Sequence, residues 1–182
     1  IVAFVGALAG FLVTLPLFTG FDRLSGGYQF TEFHSWIPAL NINYALGVDG
    51  ISVLFVILNS FITLMVVLAG WQVIQKRTAQ YMAAFLIMSG LINGAFAAMD
   101  AILFYVFFEG MLIPMYLIIG VWCGPRRVYA SIKFFLYTLL GSLLMLVGLI
   151  YLSYLAEGSF AIVDLHNIKQ IAMPVQILLF IA

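Results

Sequence analysis

Apolar residues run through this chain in blocks longer than a soluble core needs. A hydrocarbon layer about 30 Å thick takes about 20 residues of helix to cross at a rise of about 1.5 Å per residue. Five blocks meet that length: residues 1–21, 51–74, 81–99, 101–122 and 128–155, the last long enough to tilt or project. A sixth starts at Ile171 and is still apolar at Ala182, about half a span. The pattern predicts an all-α, polytopic membrane helix bundle, a single membrane domain over residues 1–182 with five full spans and the start of another. A chain that opens on Ile1 and closes inside an apolar run is expected to be a fragment. The first block has no basic stretch before it, as a signal peptide would.

The long connection, residues 22–50, has a different period. Tyr28, Phe30 and Glu32 alternate with Gln29, Thr31 and Phe33, and Trp36, Pro38 and Tyr44 follow, which predicts a short extended or hairpin segment at the membrane interface. The other links are short. Asp100 alone separates the third block from the fourth, so these two are expected to be antiparallel neighbours. Gly6 and Gly10, Gly90 and Gly94, and Gly120 and Gly124 are four apart, and Gly141 and Gly148 two turns apart, spacings that let helix backbones approach closely in lipid.

Composition sharpens the membrane assignment. Of 182 residues, 65% are apolar and 8% charged, where a soluble domain carries about a quarter charged. Seven basic residues balance seven acidic ones, which leaves no electrostatic footprint for nucleic acid. The single cysteine, Cys123, excludes a disulfide framework and a cysteine-ligated iron–sulfur cluster within the chain. His34 and His166 fall in polar connections, away from any position where they could clamp a haem between helices. No phosphate-cradling glycine loop, metal-spaced cluster or Ser/His/Asp arrangement stands in a water-accessible segment. No cofactor or metal is therefore expected in this chain. Lys76 and Arg77, then Arg126, Arg127 and Lys133, follow alternate spans, against Arg23 and Lys169 in the other connections. The positive-inside rule puts the larger group on the inner side, so the first span runs from inside to outside.

One ionisable residue lies deep in a span. Glu109 is eight residues beyond Ala101, about 12 Å along a helix of about 33 Å. An acid at that depth costs at least about 2.5 kcal/mol on insertion scales, and function is the default explanation. A carboxyl buried without a partner is driven toward its neutral form, and a cation nearby restores the charge, which is a proton relay in outline. Structural hydrogen bonding to a neighbouring helix is the alternative. At about 100° per residue Tyr105, Glu109 and Tyr116 share one face, hydroxyl, carboxyl and hydroxyl. Pro114 cannot donate to the carbonyl of Gly110, so a bend beside Glu109 and a freed backbone acceptor are expected.

Lys133, about 9 Å along its helix from Arg127, is a second candidate, on a face continued by Tyr137 and Gly141. It is either an auxiliary cation or a lysine that lifts its ammonium to the interface. Ser52, Asn59 and Thr63 on one span, and Ser89 and Asn93 on the next, line a hydrated path or tie helices together. Asp49 and Asp100 fall where an acid complements a helix start. Trp36, Trp71 and Trp122 fit interfacial anchors.

The run LFYVFFEGMLIPMYLIIGVWCG, preceded by LGVDGIS and followed by IKFFLYTLLGSLLMLVGLIYL, resembles the antiporter-like membrane subunits of respiratory complex I: subunit M of bacterial NADH:quinone oxidoreductase, counterpart of mitochondrial NADH dehydrogenase subunit 4. The likeness covers most of the chain from Gly47 to Leu155. It implies a fourteen-helix, antiporter-like subunit with two inverted five-helix repeats, each holding a broken helix. This chain would then hold helices two to six and the start of the seventh. The family glutamate matching Glu109 pairs with a lysine on a later helix, expected soon after Ala182.

The resemblance implies proton translocation, with Glu109 as switch, Lys133 as auxiliary cation, and Tyr105 and Tyr116 as supporting hydroxyls. NADH, FMN, iron–sulfur clusters and quinone are expected in other subunits. The implied partners are the other membrane subunits of complex I, including neighbouring antiporter-like subunits, and the lipid bilayer. The implied location is the bacterial inner membrane, multi-pass, or the mitochondrial inner membrane in a eukaryote. A related cation/proton antiporter and a purely structural membrane anchor are the alternatives.

Overall fold

The computed structural model describes residues 1–22, 24–168 and 171–181. Arg23 and Lys169, counted above on the outer side, and Ala182 lie outside them. The elements are helix α1 (Val2–Thr19), strands β1 (Gln29–Ile37) and β2 (Ile42–Val48), then helices α2 (Ser52–Val73), α3 (Thr78–Ala97), α4 (Ala101–Trp122), α5 (Arg127–Leu155), α6 (Ile162–His166) and α7 (Met173–Ile181). Among the described residues, α1 to α5 are the five helices long and apolar enough to cross a membrane.

Their packing follows chain order. α1 lies on α2 and touches α3, α2 lies on α3, α3 on α4, and α4 on α5. Short links make α3, α4 and α5 each antiparallel to the helix before, while the long hairpin connection leads the chain from α1 to α2. The core sits between α1, α2 and α3, where Ala7, Leu64, Val67 and Met82 are buried against Phe4, Phe11 and Leu86. The outward faces carry Leu12, Leu58, Ile113 and Leu140 exposed, as a protein whose solvent is hydrocarbon requires.

The helix starts differ from the expected ones where polar residues join in. α3 begins at Thr78, three residues before its apolar block, because Gln80 and its neighbours cost a helix nothing at the interface, and it ends at Ala97, two residues before the block does. α6 falls in a stretch read as a polar link.

The connections gather at two opposite ends. At the outer end β1 and β2 form an antiparallel hairpin with His34 opposite Tyr44 and Ser35 opposite Asn43. Asn41 makes the turn in the left-handed region at φ 54°, where asparagine is tolerated. β2 then continues onto the α3–α4 link: the Met99 amide donates to the Ala45 carbonyl at 2.9 Å. That link in turn pairs with the segment after α5, Ala101 donating to Phe160 at 2.8 Å and Ile162 to Met99 at 3.0 Å. Gly47 permits this seam, since a Cβ there would fall 2.5 Å from Met99 Sδ and 3.1 Å from Thr31 Cγ2.

At the inner end the indole of Trp122 donates to the Lys76 carbonyl at 2.8 Å, so this tryptophan fastens the α2–α3 link to the end of α4. Of the glycines spaced for close packing, Gly94 and Gly120 meet a neighbour tightly, whereas Gly10, Gly90, Gly124 and Gly141 face open space. A Cβ on Gly94 would come within 2.7 Å of the Phe107 ring of α4. Gly94→Val is therefore expected to force α3 and α4 apart, at a cost of about 1–3 kcal/mol, and the measurement is thermal unfolding of the detergent-solubilised full-length protein. An unchanged midpoint would mean the ring moves aside freely.

Candidate functional site

α4 is positioned from its start. Asp100, 1% exposed, accepts from the amides of Ile102 at 2.9 Å and Leu103 at 3.2 Å through Oδ1, which caps the helix. Its Oδ2 accepts from the Asn43 amide of β2 at 3.1 Å. The expected cap is thus also a clasp between hairpin and helix. Asp49 plays the simpler role at α2: Oδ1 accepts from Ser52 and Ile51, and the Ser52 hydroxyl accepts from the Asp49 amide. The Ser52 amide, foremost among these, holds its carboxyl below the usual range.

From that cap α4 runs unbroken through Pro114 to Trp122. Pro114 itself is buried, and the Gly110 carbonyl loses its amide donor to the imide ring. Glu109 faces the seam with α5. The phenol of Tyr105, one turn back, lies within reach of both the Glu109 carboxyl and the Ser142 hydroxyl of α5. Tyr116, on the same face, sets its ring edge-on to Phe135 of α5, centroids 5.6 Å apart. Leu112 of α4 is buried, 2% exposed. Glu109 Oε1 is buried with no hydrogen bond among the described residues. An unmet carboxyl oxygen out of water costs about 1–3 kcal/mol.

Lys133 is elsewhere. It lies exposed on α5 with its ammonium 5.8 Å from the centroid of the Tyr129 ring, beside a shallow groove shared with Arg126 and Tyr137. The structure brings Tyr105, Glu109 and Tyr116 to one seam and leaves Lys133 off it. Among the described residues, no basic group stands within 4.0 Å of the Glu109 carboxylate.

Sequence reasoning passed over the α5 side of this seam. The buried residues of α5 are Ser131, Ser142 and Ser153, eleven residues apart and so on nearly one line of a helix. Ser131 and Ser142 donate to carbonyls one turn back, Val128 and Leu139, each at 2.9 Å, which leaves their lone pairs toward α4. The Ser131 hydroxyl stands 3.2 Å from where a Cβ on Gly120 would be. The eleven-residue spacing was a usable signal, hidden among large apolar residues.

The polar stripes of α2 and α3 meet each other. Asn59 Nδ2 donates to Asn93 Oδ1 at 2.8 Å and to the Ser89 carbonyl at 3.0 Å, the Thr63 hydroxyl lies 2.8 Å from that of Ser89, and Asn93 Nδ2 donates to the Ser60 hydroxyl at 3.2 Å. Such a closed network ties helices together. Ser52 is outside it, at the Asp49 turn. Asn59→Ala is expected to cost about 1–2 kcal/mol, since interhelical hydrogen bonds in lipid are worth about 0.6 kcal/mol on average and up to about 1.7. Reversible unfolding in mixed micelles measures it, and no change would mean water replaces the amide.

Five membrane-length helices, with α2 to α5 joined by short links, define a multi-pass helical membrane protein. Two family models cover nearly all of it: "NADH-ubiquinone oxidoreductase chain 4, amino terminus" over residues 13–97 and "NADH:quinone oxidoreductase/Mrp antiporter, TM" over residues 98–182. Their boundary falls at the α3–α4 link. The chain is 48% identical over 166 residues to NADH-quinone oxidoreductase subunit M of Rhodobacter capsulatus, covering 91% of this chain and 32% of that one. It is 43% identical over 155 residues to NADH-ubiquinone oxidoreductase chain 4 of Arabidopsis thaliana, covering 85% and 31%.

Among solved structures, respiratory complex I from Thermus thermophilus matches with a TM-score of 0.83 at 31% identity over 98% of this chain and 36% of that one. The Mrp complex of Dietzia sp. matches with a TM-score of 0.76 at 16% identity over 90% and 18%, a likeness of fold. The chain belongs to the subunit M/chain 4 family of NADH:quinone oxidoreductase, the antiporter-like membrane subunits of complex I. It spans about a third of the length of the curated relatives it matches.

Proposed function

We propose that this chain is part of a proton-translocating, antiporter-like subunit of complex I, and that Glu109 is its ionisable switch. The observation that carries the proposal is Glu109 itself, half-buried at the α4–α5 seam with its Oε1 buried and unmet among the described residues. A fixed structural acid has its hydrogen bonds filled, as Asp100 does within the same helix. An acid that exchanges its partner does not. Tyr105 supplies a hydroxyl beside it, itself within reach of the Ser142 hydroxyl, and Tyr116 extends the polar face toward the inner end. Lys133, exposed beside the basic inner end, serves as an auxiliary cation at the proton's inner entry rather than as the ion pair of Glu109.

The chemistry is transfer of a proton to and from the Glu109 carboxyl. The proton leaves as a cation comes to the carboxylate and returns as that cation withdraws, so each step exchanges one positive charge for another. The redox groups, NADH, FMN, iron–sulfur clusters and quinone, belong to other subunits. Among the described residues no three His, Cys, Asp or Glu side chains gather to hold a metal. The partners are the other membrane subunits of complex I, including neighbouring antiporter-like ones, in a bacterial inner membrane or its mitochondrial counterpart.

The fold likeness to the Mrp complex favours one second reading, a cation/proton antiporter. The two are separated by purifying the intact protein with its partners into vesicles. Proton movement driven by NADH oxidation is expected. Sodium-driven proton exchange without NADH would replace the proposal with the second reading.

A further inference from the structure

The inner end of the bundle carries Lys76, Arg77, Arg126 and Arg127 and no acid. Six of the seven acidic residues, Asp22, Glu32, Asp49, Asp100, Glu157 and Asp164, lie in the outer connections, and Glu109 lies within α4. None of the four inner basic residues has an acidic partner within 4.0 Å among the described residues. Between α3 and α4, a groove of about 470 Å³ opens at this end, within the range of about 300–1,000 Å³ typical of ligand sites. Its mouth is polar: Arg77, Gln80 and the edge of Trp122. Beyond the mouth it is apolar, floored by the buried Ala84 and Pro114 and walled by the exposed Ile87, Ile113 and Leu117.

Length decides what fits. From Arg77 to Ile87 along α3 is about 15 Å, half of a hydrocarbon core of about 30 Å. The groove is therefore one leaflet deep, charged at the headgroup level and apolar below. Two small or ring-closed side chains, Ala84 of α3 and Pro114 of α4, line it and leave it hollow. Trp122, bonded to the Lys76 carbonyl, and the left-handed backbone of Arg77 at φ 52° fix the geometry of the mouth.

We propose that this groove binds one anionic glycerophospholipid of the inner leaflet, its phosphate on Arg77 and Gln80 and one acyl chain along Ala84 and Pro114. A soluble anion would have no use for the apolar trough, and a zwitterionic lipid brings its own cation to a cluster already positive. The site stands on the other side of α4 from the seam with α5 and is independent of what Glu109 does.

The test uses the assembled complex in nanodiscs with a phosphatidylglycerol bearing a photoactivatable acyl chain, and the same probe built on phosphatidylcholine. Adducts on α3 and α4 flanking the groove are expected, with the anionic probe labelling about fivefold more, the factor that one basic residue at an anionic surface supplies. Arg77→Gln, an exposed change that leaves the fold alone, is expected to remove that preference. Ala83→Trp, at the groove wall, is expected to block both probes. Equal labelling by the two lipids in the unaltered protein, or a preference that survives Arg77→Gln, overturns the proposal. So does the absence of lipid adducts where a photoreactive residue at Ile113 instead captures a protein helix.

Discussion

Glu109→Gln in the assembled complex is expected to abolish proton translocation while the protein still assembles. Glutamine matches glutamate in shape, and the oxygen that is buried has no hydrogen bond to lose. The amide can keep the neighbouring Tyr105 contact, so the change in stability should stay below about 1 kcal/mol. What it removes is the second charge state. A group fixed as neutral neither takes a proton nor answers an approaching cation, and the route through the α4–α5 seam stops. NADH-driven acidification of proteoliposomes, read by a pH-sensitive dye, measures the loss, with subunit content checked in the same preparation. Undiminished pumping in this variant would remove Glu109 from the mechanism. Undiminished assembly and pumping in Glu109→Leu would go further and leave only a membrane anchor.

Some of this was legible in residues alone, and physics explains where legibility ends. The spans could be read because a bilayer imposes one length on every crossing, and Glu109 stood out because an acid is costly there. The hairpin announced itself by the two-residue alternation around Phe30 and Glu32. The family followed from a long run around that glutamate. What the chain hid was which faces meet. Lys133 and Ser131 are two residues apart on α5, yet one is exposed and the other buried, and apolar residues on every side of the helix gave no amphipathic stripe to choose between them. Lipid accepts any apolar face, so burial in a membrane bundle is decided by small residues such as Gly94, Gly120 and Ser142 rather than by hydrophobicity. The hydrogen bond from β2 to Asp100 spans 57 residues and had no local mark, although the cap did.

That clasp makes Asp100→Ala the substitution with the largest expected effect on stability. Alanine leaves three amides without acceptors: Ile102 and Leu103 in the first turn of α4, and Asn43 in β2. Loss of a cap costs about 1 kcal/mol, and a buried orphan amide about 1–3 more, so the total is about 3 kcal/mol. Asparagine separates the two roles. Its carbonyl can still cap α4, but its amide nitrogen presents a donor to the Asn43 donor, so the hairpin is released while the helix start survives. Hydrogen exchange over residues 42–48 should therefore quicken in both variants, and over residues 101–104 in the alanine variant alone. Because α4 sets the depth of Glu109, about 13 Å further along, fraying at its first turn should also weaken pumping in the alanine variant more than in the asparagine one. Unchanged exchange over residues 42–48 in both variants, with 101–104 quickened in the alanine variant alone, would show that Asp100 is a cap and nothing more.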